Sequence, residues 1–282
     1  MRTERFPGRA LADRILTRVA ARVRKLERPP TLAIVLVGRN AASEAYVAEK
    51  ERRGANAGIA VLTLRFPTAT KTVALMRALR EINRDPAITG VIVQLPLPRA
   101  LPTDRILRMV DPEKDVDGFH PENLRHIGRR PRFIPPTIAG ILLALTYSGL
   151  PLPGKSVALV GKTSVFAATL SALLRSAGAS VTVVPASLVR TSRILREAPF
   201  VVSLVGKPKL IRGSMLRPGA VVIDAGFTRR GKKIYGDVDE RSVEGVARLL
   251  TPVPGGIGPL TVAFLLENVI TAAERKQTKA GR

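Results

Sequence analysis

The chain has no cysteine in its 282 residues, which excludes a disulfide framework, a thiolate zinc site, an iron–sulfur cluster and a cysteine nucleophile. It also has no tryptophan, and only 4% of it is aromatic, so a nucleic-acid surface built on stacked bases is poorly supplied. The two histidines, His120 and His126, have no soft ligand nearby, and no metal is expected. Acid is scarce: 22 Asp and Glu stand against 46 Lys and Arg, a net charge of +24. The basic residues are scattered, from Arg2 to Arg24, through the cluster Arg129-Arg130-Pro-Arg132, to the Arg229–Lys233 stretch. This pattern points to a basic solvated surface rather than a dedicated nucleic-acid site, with affinity for polyanions as the alternative. Nothing resembles a signal peptide and no apolar run approaches a membrane span, so a soluble, cytoplasmic protein without membrane contact is expected. Leu11, Ile15, Val19 and Val23 make the basic start a structural helix rather than a transit peptide.

Two nucleotide fingerprints are missing as well. "GKTS" (161–164) suggests a P-loop, but the glycine required five residues earlier is Ser156. The dinucleotide pattern G-x-G-x-x-G fails because Thr163 occupies the second glycine position. No acidic residue follows "SVTVVP" (180–185) to hold a ribose 2′-hydroxyl, which argues against NAD.

What is present is an alternation of strand and helix. "TLAIVLVG" (31–38), "AVLTLRF" (60–66) and "GVIVQLPLP" (90–98) read as strands, with helices at 40–58 and around 70–84 and a short one at 103–110. "DPEKDVDGFHPENL" (111–124) reads as a loop and "PTIAGILLALTYSG" (136–149) as a helix. A second run follows, with strands "SVALVG" (156–161), "SVTVVP", "FVVSLVG" (200–206) and "AVVIDAG" (220–226), then a closing helix over 258–276 and a frayed "QTKAGR". Near-continuous apolar strands between helices mean parallel sheets covered on both faces. The expected fold is two α/β domains, residues 1–138 and a Rossmann-like 139–257, with the closing helix (258–282) packing back on the first.

Four stretches carry candidate chemistry. Ser43, Tyr46 and Lys50 share one helix face, a spacing that surface residues also adopt. Gln94 ends a strand where an open parallel sheet presents side chains to a ligand, or else caps its own loop. Asp111, Glu113, Asp115 and Asp117 concentrate acid in one loop, where a carboxylate could accept from the N–H donors of a heterocycle. "TPVPGGIGPLT" (251–261) packs prolines and glycines against a helix start, which lets an anionic group approach the backbone.

Together these stretches resemble the bifunctional methylenetetrahydrofolate dehydrogenase/cyclohydrolase family, the FolD family. "VGRNAASEAYVAEK" is similar to its V-G-x-x-x-A-S-x-x-Y-V-x-x-K, and "VQLPLP", "DPEKDVDGFHPEN" and "TPVPGGIGPLT" to three further signatures. "VGKP" (205–208), "GAVVIDAG" (219–226) and "GDVD" (236–239) follow in register. The resemblance implies NADP-linked oxidation of 5,10-methylenetetrahydrofolate and hydrolysis of the methenyl product to 10-formyltetrahydrofolate, in a homodimer with a folate crevice between its domains. It implies that Tyr46, Lys50 and Gln94 form the reaction centre, that Asp117 recognises the pterin, and that Pro254, Gly255 and Gly256 line the crevice. Gly161, Lys162, Thr163 and Ser164 stand in the cofactor turn.

The nucleotide half departs from the family. G-R-S-x-x-V-G-x-P becomes Gly161, Lys162, Thr163, Ser164, Val165, Phe166, Ala167, Ala168, Thr169. A lysine point charge replaces a bidentate fork, and alanine replaces the glycine at the helix–strand contact. The family's Cys-His-Ser-(Lys/Arg)-Thr aligns with Val184 to Leu188, which removes most hydrogen-bonding side chains at the adenosine end. Two alternatives follow: a cyclohydrolase with a weakened or lost dinucleotide site, and a non-catalytic polyanion- or RNA-binding paralogue.

Overall fold

The apolar runs become buried parallel strands arranged in two sheets. The computed structural model describes residues 2–129, 131–231 and 233–280, without the side chains of 279 and 280. Arg130 of the basic cluster, Lys232 of the 229–233 stretch, and Gly281 and Arg282 of the tail lie outside the described residues. The chain divides into two compact units, one of Met1–Leu11 and Thr137–Thr261, the other of Ala12–Pro136 and Val262–Arg282.

In chain order the elements begin with Glu4–Arg5 (β1) and Gly8–Val23 (α1), the amphipathic start. Thr31–Val37 (β2), Ala41–Asn56 (α2), Ala60–Phe66 (β3), Thr72–Arg84 (α3) and Gly90–Val93 (β4) follow. These strands form a parallel sheet in the order β3-β2-β4, with β2, the most apolar, at its centre. Leu75, Leu79 and Ile82 of α3 are the buried stripe that packs with Ala33, Val35, Val91 and Val93 into this unit's core. Thr103–Leu107 (α4) and Pro121–Arg125 (α5) complete the stretch before Pro136–Tyr147 (α6).

The other unit holds Ser156–Val160 (β5), Val165–Ser176 (α7), Ser180–Val184 (β6), Arg193–Glu197 (α8), Phe200–Ser203 (β7) and Val221–Asp224 (β8). Thr228–Arg230 (β9) and Lys233–Tyr235 (β10) pair as a hairpin, then come Glu240–Val243 (α9), Leu249–Leu250 (β11) and Ile257–Ala280 (α10). The main sheet runs β1-β11-β8-β7-β5-β6, parallel throughout. From β5 the chain goes to β6 on one side and then crosses to β7 on the other. That reversal opens a ligand crevice at the carboxyl end of β5 in a doubly wound sheet. The fold is therefore two α/β units with parallel sheets, one of them Rossmann-like.

Several details differ from the sequence patterns. The first eleven residues belong with the Rossmann-like unit, because Glu4 and Arg5 pair with Leu249 and Leu250. The 111–124 loop ends in a helical turn, α5, with Pro121 at its start and His120 Nδ1 accepting from the Glu122 N–H. The closing helix runs on through Ala280, where fraying was expected. By length and apolar content, Ile257–Thr278 is also long enough to cross a membrane, contrary to the expectation that no run approaches a span. Half of it is buried inside the protein, with Leu260, Leu266, Val269 and Ile270 packed in the interior. Its Asn268, Thr271 and Glu274 hydrogen-bond other parts of the chain, as expected of a core helix.

Candidate active site

Asn40 caps α2 by accepting from the N–H groups of Ala42 and Ser43 at 3.0 Å each. Capping there fixes the phase in which Ser43, Val47, Lys50 and Gly54 turn inward. At Gly54 an added Cβ would lie 2.5 Å from a Val61 methyl, so glycine lets the helix sit down on β3. Lys50 is thereby carried into the protein, where it is 8% exposed. Its Nζ donates to Gln94 Oε1 at 2.7 Å. The Gln94 backbone N–H continues the β4 pairing to Val35, and its side-chain amide donates to the Leu95 carbonyl at 2.9 Å. Gln94 therefore caps its own loop and also holds the lysine. Tyr46, one turn before Lys50, is half-buried on the same helix.

Burial pushes the Lys50 ammonium down to about 8, against the opposing pull of the Asp117 carboxylate. Burial pushes Asp117 up to about 6; the Lys50 charge restrains the rise and the Asp115 charge adds to it. Among the described residues nothing donates a hydrogen bond to the Asp117 carboxylate, although it is partly enclosed. Its neighbour Asp115 is committed to structure. It accepts from the N–H groups of Gly118 and His120 and from Asn123 Nδ2 at 3.2, 2.7 and 2.9 Å. Asn268 of α10 braces the same loop by donating to the carbonyls of Val116 and Ile134, both at 2.9 Å. Asp117 is thus held on a fixed loop with its acceptor capacity open. Lys50, Gln94 and Asp117 come together in one unit.

The proposed cofactor residues lie in the other unit. Gly161 leaves β5 at the switch point, and Lys162, Thr163 and Ser164 follow, all exposed. Ser164 Oγ caps α7 by accepting from the Ala167 N–H at 3.2 Å, so this hydroxyl is partly spent on the helix. A Cβ on Gly161 would meet nothing nearer than the Leu204 carbonyl at 3.9 Å. The backbone therefore does not need glycine there, and the open space suits a ligand. A capped twelve-residue helix start beside an exposed ammonium and a hydroxyl fits the phosphates of a dinucleotide. Beyond β6, Leu188 is 53% exposed.

The sequence patterns missed two buried aspartates at the same sheet edge. Asp237 Oδ2 accepts from Ser203 Oγ and the Val205 N–H, and its Oδ1 from the Lys207 N–H, each at 2.7 Å. Asp224 ends β8; its Oδ1 accepts from Gly226 and Asp237 N–H groups and its Oδ2 from Val238. Burial pushes the Asp224 carboxyl up to about 7. The pair fixes the loop after β7, next to the Gly161 turn. The local signal was the glycine beside each aspartate in "DAG" and "GDVD". A Cβ on Gly226 would lie 2.2 Å from Asp237 Cγ, and one on Gly236 would lie 2.1 Å from Asp224 Oδ2. In the same unit Pro254 is exposed, Gly255 adopts φ of 112° and Gly256 is buried at the entry to α10.

Residues 6–117 match the model of the tetrahydrofolate dehydrogenase/cyclohydrolase catalytic domain, and residues 135–277 that of its NAD(P)-binding domain. The bifunctional protein FolD of Rhodopirellula baltica is 40% identical over 97% of this chain and 98% of its own. Two crystal structures are similar over nearly their whole lengths. One is the Trypanosoma brucei methylenetetrahydrofolate dehydrogenase-cyclohydrolase complexed with NADP and an inhibitor, with TM-score 0.93, 31% identity, and 98% of this chain and 99% of that one covered. The other is the Campylobacter jejuni FolD, with TM-score 0.91, 32% identity, and 97% and 99% covered. With both domain models matched in order and relatives aligned from end to end, the chain belongs to the tetrahydrofolate dehydrogenase/cyclohydrolase (FolD) family.

Proposed function

We propose that the protein oxidises 5,10-methylenetetrahydrofolate with NADP and hydrolyses the resulting methenyl compound to 10-formyltetrahydrofolate. The observation that carries this reading is the buried Lys50, hydrogen-bonded to Gln94 and lowered to about 8. In the hydrolytic step water adds to the cationic methenyl carbon, loses a proton, and the ring C–N bond opens. A lysine near neutrality can take one proton from that water and return it to the departing nitrogen, while the second water proton leaves to solvent as the formyl C=O forms. Gln94 holds the ammonium while it is charged, Tyr46 keeps the folate ring in line, and Asp117 accepts from the pterin N–H groups. Pro254, Gly255 and Gly256 give the substrate close access to backbone.

NADP, when bound, supplies the acceptor for the hydride leaving the folate methylene. Gly161 allows its phosphates near the backbone, and Lys162, Thr163 and Ser164 meet them at the α7 start. The absence of an acidic residue after β6 favours NADP over NAD. By family likeness the protein works as a cytoplasmic homodimer, which sedimentation velocity tests.

A second reading, a cyclohydrolase with a weakened dinucleotide site, is favoured by Ser164 being engaged in its cap and by the exposed Leu188. An absorbance assay with methylenetetrahydrofolate, supplying NADP and NAD in turn, separates the two. Reduced cofactor with NADP supports the first reading. Loss of absorbance from separately supplied methenyltetrahydrofolate, with no cofactor reduced from methylenetetrahydrofolate, supports the second, and absence of both activities overturns both.

A further inference from the structure

Within the unit of Ala12–Pro136 and Val262–Arg282, a groove of about 780 Å³ opens beside Ile88 and Thr89, just before β4 begins. Gln94 follows the other end of that strand, so the groove lies roughly 13 Å from the Lys50 site. Four cations line it: Lys114, Arg132, Arg275 and Lys276.

Their partners are unusual for surface cations. Lys114 Nζ donates to the carbonyls of Ile82 and Asp85 at 3.2 and 2.6 Å, and Lys276 Nζ donates to that of Pro86. Two ammonium groups thus converge on one turn of backbone. The Arg275 guanidinium stands 5.5 Å from the Phe133 ring centre and donates to the Arg132 carbonyl at 2.9 Å. Burial and the neighbouring like charge depress both Lys114, beside Lys276, and Arg275, beside Arg132.

Two carboxylates in the groove act on its cations without closing on the lysines: Asp111 on Lys114 through space, and Glu113 on Arg132. Asp111 Oδ1 accepts from the Glu113 N–H in its own turn. Glu274 is held by Arg22 through Nε and Nη2 at 2.9 and 2.7 Å. Glu113 reaches Arg132 at 3.7 Å. Among the described residues no carboxylate pairs with Lys114, Arg275 or Lys276. Ile88 and Phe133, both largely buried, supply the apolar part of the wall, with Phe133 beside Arg275 rather than across from it.

We propose that this groove is a second ligand site, for a phosphorylated metabolite of nucleotide size whose phosphates bridge the lysine pair and the arginine pair. Its volume falls in the range of small-molecule sites. Separate ammonium and guanidinium pairs suit several oxygens carrying more than one charge, and the wall suits the uncharged remainder of such a ligand.

The test is calorimetric titration of the full chain with ATP, pyrophosphate and adenosine at low and high salt. ATP and pyrophosphate should bind saturably and weaken with salt, while adenosine should not bind. Lys276→Gln, an exposed side chain near the helix end, should weaken ATP binding about tenfold, and Arg275→Gln likewise. Gly161→Ala, which alters the dinucleotide turn, should leave ATP binding unchanged and so distinguishes the two sites. The proposal is overturned if ATP does not bind, if adenosine binds equally well, if Gly161→Ala removes the binding, or if Lys276→Gln leaves it intact.

Discussion

Lys50 Nζ and Gln94 Oε1 stand 2.7 Å apart although 44 residues separate them in the chain. Among the described residues no carboxylate is close enough to pair with that ammonium. A neutral amide holds it, which satisfies the hydrogen bond without fixing the charge. The lysine is left free to titrate near neutrality.

Methenyl hydrolysis should therefore rise with pH through about 8, where the Lys50 ammonium gives way to the free amine. The rate is read as loss of methenyl absorbance over a pH series, corrected for the spontaneous reaction. Lys50→Ala should abolish the enzymatic part; an unaffected rate sinks the role given to this lysine. Gln94→Ala removes the acceptor of the charged form, so the midpoint should move to lower pH.

Asp117→Asn keeps the shape of the side chain and removes its charge. Folate affinity should fall by roughly tenfold or more, the scale of a charge-assisted hydrogen bond. In the parent protein, binding should weaken as pH falls through about 6, because the protonated carboxyl loses acceptor capacity. Titration of folate well below and well above that value checks the direction. The same variant should lower the midpoint of Lys50, whose charge Asp117 now favours.

Gly161→Ala separates ligand binding from folding. An added methyl would have 3.9 Å of clearance, so the thermal transition should stay where it is while NADP binding weakens. Equal NADP affinity in parent and variant would remove this turn from the cofactor site.

Gly226→Ala should do the reverse and damage the fold itself. The new Cβ would fall 2.2 Å from Asp237 Cγ, and three hydrogen bonds hold that carboxylate in place. A loss of about 3 kcal/mol is expected in denaturant unfolding. Gly219→Ala is the comparison: nothing lies within 4 Å of its Cβ, and only its φ of 79° is strained. That strain alone costs about 1 kcal/mol.

Much of this was legible in the residues. The six-residue buried run of β2 and the short apolar strands of the second sheet declare themselves, because strands buried on both faces leave no room for polar alternation. β1 and β11 did not, since two residues carry no period and only the pairing of Glu4 and Arg5 with Leu249 and Leu250 defines them. The tail from Gln277 onward looked frayed because its residues carry no apolar period, yet the helix runs on through Ala280. The Lys50 site was legible only through family likeness. A lysine on a helix and a glutamine after a strand are ordinary locally, and their meeting depends on a long-range contact that spacing cannot express. Asp224 and Asp237 stayed hidden for a related reason: side chains that hold loops together leave no periodic trace.

Neither unit is a continuous piece of chain, and this constrains the order in which the protein can be completed. The helix carrying Lys50 and the strand that Gln94 follows are synthesised early. Val116, whose carbonyl Asn268 holds, and Gly54, packed near Leu266, nevertheless wait for the last helix. On the ribosome the catalytic unit would therefore remain open until almost the whole chain had emerged, while the Rossmann-like sheet could already close around β5 to β11. A truncation that ends before α10 would leave the Asp117 loop without its brace, so the half that is read first is the half that is finished last.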